Sequence, residues 1–537
     1  MTTQIRDTQF GRFVRLLSRR RAFQYPDEID PSIPKSAAGR GDVVSRSEEK
    51  DAEPISDGIS SGERLEQGKH IHLVGWYGEN DPENAQNWSS YWKLFVTFQI
   101  CFMNMAFYMT SSIYTPGEES IMEEFGVGSE VATLGLSLFT LGYGTGPMLW
   151  SPMSEVATIG RNDVYFWTFL FFVLLQLPTG FAVNMPMLLV FRFITGFVGS
   201  PALATGGATI SDMYGPAGIA IGICIWGSFG ICGPVFGPIL GGFAAEAEGW
   251  RWTIWIITWL SGFTTVMIFF FLPETSEAHI LYKRAKRLRQ ATGDDRLRSQ
   301  SEIDAAHFKT KDHLRVLGRA CTLTFSEPIV FFLDLYTALL YGVFFTWFES
   351  FPIVFGGIYG FSIGLQGLVF IGIFVGGVIT LPLFILWIRR GLIPKFDKPD
   401  FRPEMVLPPT FFGAVFLPIC LFWYGWSARA SINWIMPVIG SGFFTVSIIT
   451  LFNPVLNYLG IAYPAVSASV FAGNTLFRAT FGAIFPLFAR QLFNTLGVGP
   501  GNSLLAGISI CFIPLPYIFY RYGQRLRGMS KNARHDI

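Results

Sequence analysis

The sequence is poor in charge for its length. Only 15% of its 537 residues are Asp, Glu, Lys or Arg, whereas a soluble domain carries about 25%. The net charge is +1, which excludes the strongly basic surface of a nucleic-acid-binding protein. Hydrophobic residues make up 50% of the chain, and this composition favours a membrane protein.

Signatures of catalysis, metal binding and ATP use are also missing. The six cysteines include no CxxC pair, and five of them fall in apolar segments, where we interpret them as packing residues. All six histidines lie in polar stretches, and no G-x-x-x-x-G-K-[ST] phosphate-binding loop occurs. These absences argue against a hydrolase and an ATP-driven pump, so we expect no enzyme activity, no metal and no cofactor.

Long apolar segments dominate the chain instead. A helix of about 20 apolar residues crosses a hydrocarbon core about 30 Å thick. We predict twelve such spans, at 92–115, 131–152, 164–182, 187–211, 217–243, 250–272, 328–355, 365–388, 403–426, 432–459, 465–490 and 501–520. The expected fold is an all-α membrane protein with 12 transmembrane helices in two six-helix halves.

The basic residues give these spans an orientation. Twelve Lys and Arg precede residue 88, eleven lie in 273–327 and five follow residue 520, whereas 116–130 has five glutamates and neither Lys nor Arg. Basic loops stay on the cytosolic side. We therefore expect both termini and the long central loop to face the cytosol.

Polar segments divide the chain into five parts. The expected organisation is a disordered cytosolic tail at 1–87, a six-helix bundle at 88–272, a cytosolic loop at 273–327, a second six-helix bundle at 328–521 and a cytosolic tail at 522–537. Within the loop, Leu281–Arg289 is predicted to form an amphipathic helix on the inner leaflet, with Leu281, Ala285 and Leu288 facing lipid.

Charges inside the spans are few, and each costs roughly 2.5–3.5 kcal/mol at the centre of a helix on the insertion scale. They are Arg192 in span 4, Asp334 and Glu349 in span 7, and Arg478 in span 11, with Glu155 and Asp212 at the ends of spans 2 and 4. Two interpretations stay open for them: ion pairs between helices that hold the bundle together, or groups that bind substrate and protons. Because no histidine lies in a span, carboxylates would have to carry any coupled proton.

Span 5 has a series of small and kinking residues. Glycines at spacings of three and four allow a neighbouring helix to approach closely, and prolines kink the helix. The series comprises Gly233, Pro234, Gly237, Pro238, Gly241 and Gly242. Close packing is the simpler interpretation, and sealing of the two halves on the outer side is the functional one.

Three stretches of the sequence resemble motifs of the major facilitator superfamily. The span 5 series resembles its antiporter motif, the stretch 150–162 with Glu155, Gly160 and Arg161 resembles its cytoplasmic loop latch, and 188–196 with Arg192 resembles the motif associated with proton coupling. The loop departs from the usual latch in lacking a basic residue just after Glu155. Further strings resemble the fungal twelve-spanner drug:proton antiporters, close to their fluconazole and benomyl resistance transporters; they lie at 81–88, 112–116, 199–207, 249–255, 272–275 and 485–488.

The resemblance implies proton-coupled export of amphipathic drugs and xenobiotics across the plasma membrane by a monomer, with the proton gradient as energy source. Arg192, Asp212 and Glu155 are the expected coupling residues, and Asp212 and Glu155 are expected to form a network with Arg161 on the inner side. The substrate pocket between the halves is expected to draw on Asn104, Phe107, Tyr108, Tyr341, Phe345, Glu349, Asn474 and Arg478. Two alternatives stay open: a dedicated exporter of an endogenous secondary metabolite or toxin, and a membrane sensor that no longer transports.

Overall fold

The computed structural model describes residues 2–29, 71–307, 322–396, 398, 401–530 and 532–534. Twelve long helical segments, here α1–α12, follow the order of the predicted spans. The N-terminal half comprises α1 (Ser90–Ser112), α2 (Ser129–Thr145, continued by Pro147–Glu155), α3 (Arg161–Gly180), α4 (Met185–Gly199, continued by Pro201–Ala204 and Gly206–Met213), α5 (Pro216–Glu248) and α6 (Trp250–Phe271).

The C-terminal half repeats this arrangement. It comprises α7 (Pro328–Phe351), α8 (Ile363–Leu368, continued by Ile371–Trp387), α9 (Pro409–Ser427), α10 (Ile435–Gly442, continued by Phe444–Ala462), α11 (Ser467–Leu496) and α12 (Val498–Phe512, continued by Pro514–Met529). The two halves meet along α2 with α11 and along α5 with the start of α8. Any cavity between the two halves is therefore bounded by helices of both halves.

Ten of the twelve segments, in the part of the chain that the structure describes, are long and apolar enough to cross a membrane. The other two are α2, which is divided at Gly146, and α11, which carries polar residues such as Asn474 and Arg478. An all-α membrane fold is thereby confirmed, while the full count of twelve crossings stays a prediction.

The two ends of the molecule differ in charge. One, the basic end, carries the start of α1, the end of α2 and the helix Glu277–Thr292, here the linker helix. The other, the acidic end, carries the segment 115–128 with its glutamates. Basic segments stay on the cytosolic side of a membrane, so the cytosolic orientation of the basic end stays a prediction from the sequence.

The prediction of a disordered tail over 1–87 is wrong for 2–29 and 71–87, and 30–70 lies outside the described residues. An N-terminal helix, Gln9–Leu17, is capped by Thr8 and packs on the bundle: Phe10 contacts Phe270 at 4.9 Å between ring centroids, and Arg12 pairs with Asp163 at 2.6 Å. Apolar and ionic contacts with α3 and α6 hold this segment in place, which sequence composition alone did not reveal.

The linker helix is present, but two of its three predicted lipid-facing residues are buried inside the protein, while Leu281 is half-buried. Ala285 and Leu288 are fully buried against Val74 and Leu297, beside a two-residue parallel β ladder, His72–Leu73 with Leu297–Arg298. Short segments from before α1 and after the linker helix thus cover its apolar face. At the other terminus, α12 continues to Met529 instead of ending near 520, because Arg527 pairs with the buried Glu404 at 2.8 Å.

Candidate functional site

A cavity of about 460 Å³ lies between the two halves. Its deep part is bounded by Asn104 and Tyr108 from α1, Trp226 from α5, Tyr341 from α7 and Arg478 from α11. An apolar, aromatic cleft with a few convergent polar groups is the usual form of a small-molecule site. The geometry therefore suits a flat, largely apolar ligand bound near the middle of the bundle.

Hydrogen bonds hold the polar groups of this wall in place. Asn104 donates through Nδ2 to the main-chain oxygen of Trp226 at 3.0 Å, and the Tyr143 and Tyr341 hydroxyl groups are 2.5 Å apart across the two halves. The Arg478 guanidinium lies over the Phe452 ring at 4.5 Å. Arg478 therefore presents a cation flanked by aromatic faces to the cavity.

The cavity opens at the basic end. Its lining there includes the exposed residues Glu155 and Ser211. At the acidic end the halves are in contact: Glu246 of α5 accepts a hydrogen bond from the main-chain N–H of Gly364 at 2.7 Å, and a Cβ on Gly367 would lie 2.0 Å from the Pro238 oxygen. The span 5 series thus takes part in closing one end of the cavity.

Four of the eight predicted pocket residues line the cavity: Asn104, Tyr108, Tyr341 and Arg478. The other four lie behind its wall. Phe107 packs inside the N-terminal half against Phe139 and Phe172, and Phe345 stacks beneath Tyr341 at 4.7 Å. Successive residues of a helix are rotated by about 100° around its axis, so residues 107 and 108 face different directions. The length and hydropathy of a segment do not reveal which of the two faces the cavity.

Asn474 and Glu349 lie outside the cavity for different reasons. Asn474 is buried and donates through Nδ2 to Asp334 and to Thr337, both at 2.8 Å, while its oxygen accepts from Arg478 Nε at 3.0 Å. It thereby links Asp334 of α7 to the cation in the cavity. Glu349 lies farther along α7, near Arg490 at the acidic end.

The cytoplasmic loop has an ion pair with one of the two acids expected to contact Arg161. Arg161 binds Asp212 through Nε at 2.6 Å and Nη2 at 3.1 Å, whereas Glu155 lies at the cavity mouth and is not the acid that Arg161 contacts. Gly160, at φ +84°, allows the turn that starts α3. The latch therefore joins α3 to α4, and of the two acids expected to form a network with Arg161, Asp212 pairs with it and Glu155 does not.

Glu274 completes this latch and was not among the predicted site residues. Its carboxylate accepts the main-chain N–H groups of Arg161 at 3.1 Å and Asn162 at 3.2 Å, at the N-terminus of α3, where a helix favours an anion. Burial alone would raise the pKa of Glu274, but Arg12 and main-chain N–H donors outweigh burial and hold that pKa below its usual range. The string 272–275 was the only sequence signal for it.

Arg192 lies in the protein interior, away from the cavity. It is fully buried and donates to the main-chain oxygens of Gly135 at 3.0 Å, Thr110 at 2.9 Å and Ser111 at 3.4 Å. Its guanidinium also lies over the Tyr114 and Phe139 rings. These contacts join α4 to α1 and α2.

The latch should make the protein sensitive to acid. His279 of the linker helix is buried beside this latch, with its Nε2 3.9 Å from Glu274 Oε2. Burial lowers the pKa of His279 to about 4, although Glu274 opposes the shift; an unfolded histidine has a pKa of about 6.5. Between these values the unfolded chain binds a proton that the folded chain does not, so stability falls as pH drops from 6.5 to 4. Melting temperatures of purified protein at pH 7.5 to 5 should therefore fall, and less so for His279→Gln. The control His72→Gln, at a less buried position, should follow the wild type; a melting temperature that rises toward pH 5 would contradict this assignment.

Comparison with known proteins matches this fold and these motifs. A model of the Major Facilitator Superfamily matches residues 100–523. The chain is 44% identical over 469 residues to Transporter mfs1 of Schizosaccharomyces pombe, covering 86% of this chain and 88% of that protein. It is 41% identical over 489 residues to Fluconazole resistance protein 1 of Saccharomyces cerevisiae, covering 89% and 88%, respectively.

Two further comparisons agree. Cycloheximide resistance protein of Candida maltosa is 37% identical over 556 aligned positions, covering 99% of this chain and all of that protein. The structure of the proton:xylose symporter XylE superimposes with a TM-score of 0.58 at 16% identity, covering 81% of this chain and 96% of that chain, which shows a shared fold alone. The match to the family model and the similarity to these relatives show that the chain belongs to the Major Facilitator Superfamily of membrane transporters.

Proposed function

We propose that this chain exports uncharged, amphipathic, drug-like compounds across the plasma membrane in exchange for protons, and so confers multidrug resistance. The observation that carries the proposal is the cavity between the halves, aromatic in its deep part and open at the basic end. Because basic loops stay in the cytosol, this end loads from the cytosol, and both termini face it. The names of the relatives, which refer to fluconazole and cycloheximide resistance, support the class of cargo.

Alternating access supplies the transport cycle in this proposal. The halves are in contact at the acidic end and apart at the basic end, which corresponds to the cytosol-open state; rocking of one half against the other would reverse this. The pair of Arg161 and Asp212 is positioned to hold α3 and α4 as one body during that motion. Arg192, Asp212 and Glu155 remain our proposed coupling residues, and we propose that the protein acts as a monomer.

Arg478 should set the charge preference of the cavity. It is the one Lys or Arg of the described lining that lies in the deep part, since Arg161 lies at the mouth. A fixed cation disfavours cationic ligands through like-charge repulsion, which is strong where water is scarce. We therefore expect neutral azoles and cycloheximide to be exported, and rhodamine-like cations poorly.

The test is a susceptibility panel in an efflux-deficient yeast strain. Expression should raise tolerance to neutral drugs, and Arg478→Gln should raise tolerance to cationic dyes several-fold relative to wild type. Arg389→Gln, an exposed arginine at the basic end, is the matched control and should leave the panel unchanged. Unaltered sensitivity to every drug would reject multidrug export and favour a dedicated metabolite exporter.

A further inference from the structure

Two buried glutamates from opposite halves meet at the acidic end. Glu118 follows α1 and Glu349 belongs to α7, and their exposed fractions are 4% and 2%. The two carboxyl groups are close neighbours, because the Thr133 hydroxyl lies within 3.4 Å of an oxygen of each. Neither residue lines the main cavity, so the pair is separate from the proposed substrate site.

The hydrogen-bond donors near this pair are too few to satisfy two ionised carboxylates. Thr133 Oγ1 lies 3.0 Å from the Ser129 oxygen, 3.1 Å from Glu118 Oε2 and 3.4 Å from Glu349 Oε1, yet a hydroxyl group donates only one hydrogen bond. Glu118 Oε1 is buried, and no described residue donates to it. An ionised carboxylate only accepts, so two of them cannot bond to one another; a proton on one removes this conflict.

The charges around the pair lead to the same conclusion. Arg490 of α11 is the cation in contact, with Nε 3.4 Å from Glu349 Oε2. Arg192 faces the pair from α4, but its hydrogen bonds go to main-chain oxygens, and the Tyr114 hydroxyl donates to the Ala132 oxygen. Among the described residues, Arg490 is therefore the one cation that contacts the pair, and no cationic side chain donates a hydrogen bond to Glu118.

We propose that Glu118 and Glu349 share one proton whenever the halves are closed at the acidic end. A small cavity of about 50 Å³ lined by Glu118, the exposed Glu119 and Arg490 gives this proton a route to the solution. When the halves separate, both carboxyl groups become hydrated and are ionised at pH 7. Closing then takes up one proton, so acid at this end favours closure.

This proton site concerns the conformation of the halves and holds whichever compound is exported. One proton taken up on closing changes the closed-to-open ratio by up to about tenfold per pH unit. The proposal would make the acidic end a proton-sensitive gate. Its failure would leave the proposed export function standing, because the two are measured separately.

The experiment measures the distance between the halves against pH. Nitroxide labels at Glu123→Cys in the N-terminal half and Ser431→Cys in the C-terminal half, both exposed at the acidic end, are introduced into the full chain with Cys321→Ser and Cys511→Ser. Double electron–electron resonance in lipid nanodiscs should show the short, closed distance gaining population from pH 8 to pH 5.5.

Near-isosteric variants identify the groups responsible. Glu118→Gln and Glu349→Gln each leave a single carboxylate, which Arg490 can balance without a proton, so each should remain closed across the range and lose the pH response. Glu119→Gln, on the exposed neighbour, should respond as the wild type does. A wild-type distance that ignores pH, or glutamine variants that follow the wild-type curve, would overturn the proposal.

Discussion

Replacing Gly367 with alanine should reduce drug export about fivefold or more and open the acidic end. The added Cβ would lie 2.0 Å from the Pro238 oxygen, a main-chain atom of the opposite half that cannot move aside alone. Overpacking of this kind costs about 1–3 kcal/mol, and a bias of that size shifts a two-state equilibrium by roughly 5–150-fold. The nitroxide pair at 123 and 431 measures the distance, and drug tolerance in yeast measures export.

Gly357 provides the matched control. It lies just after α7 near the same end, and no atom lies within 4 Å of a Cβ built on it. Gly357→Ala should therefore export as the wild type does. If Gly367→Ala keeps wild-type export and the closed distance, then contact between α5 and the start of α8 is not what closes the acidic end.

Replacing Arg192 with lysine should also remove most of the export activity, and alanine should remove more. A planar guanidinium donates at once to three main-chain oxygens between two aromatic rings, and an ammonium on a shorter stem cannot reproduce that fork. Hydrogen bonds to charged groups contribute about 1.5–3 kcal/mol each, so losing two should lower export tenfold or more at equal protein abundance.

The control for Arg192 is an arginine that stacks on a ring at the surface. Arg429 lies over the Trp426 ring at 5.0 Å and is exposed, so Arg429→Lys should leave drug tolerance unchanged. Export from Arg192→Ala cells as fast as from wild-type cells would reject any role for this residue in coupling or in positioning α1 and α2.

The helical segments could be predicted because apolar length and basic loops are strong, local signals. Which side of a helix faces the cavity is a weaker signal: Tyr108 lines it and the adjacent Phe107 does not, since both are aromatic and only packing distinguishes them. Glu118 served in the sequence only as an acidic-loop marker, because its partner Glu349 is 231 positions away and no spacing rule joins them. Segments 2–29 and 71–87 were misjudged because their contacts are with distant residues such as Asp163 and Leu297.

Purified protein in liposomes tests the central claim most directly. With an acidic lumen and a neutral exterior, protons leave through the transporter, and radiolabelled fluconazole should accumulate inside through proteins whose basic end faces outward. Accumulation should disappear when nigericin collapses the pH gradient and should be absent from protein-free liposomes. Uptake at the same rate with and without the gradient would contradict proton-coupled export through the cavity between the halves.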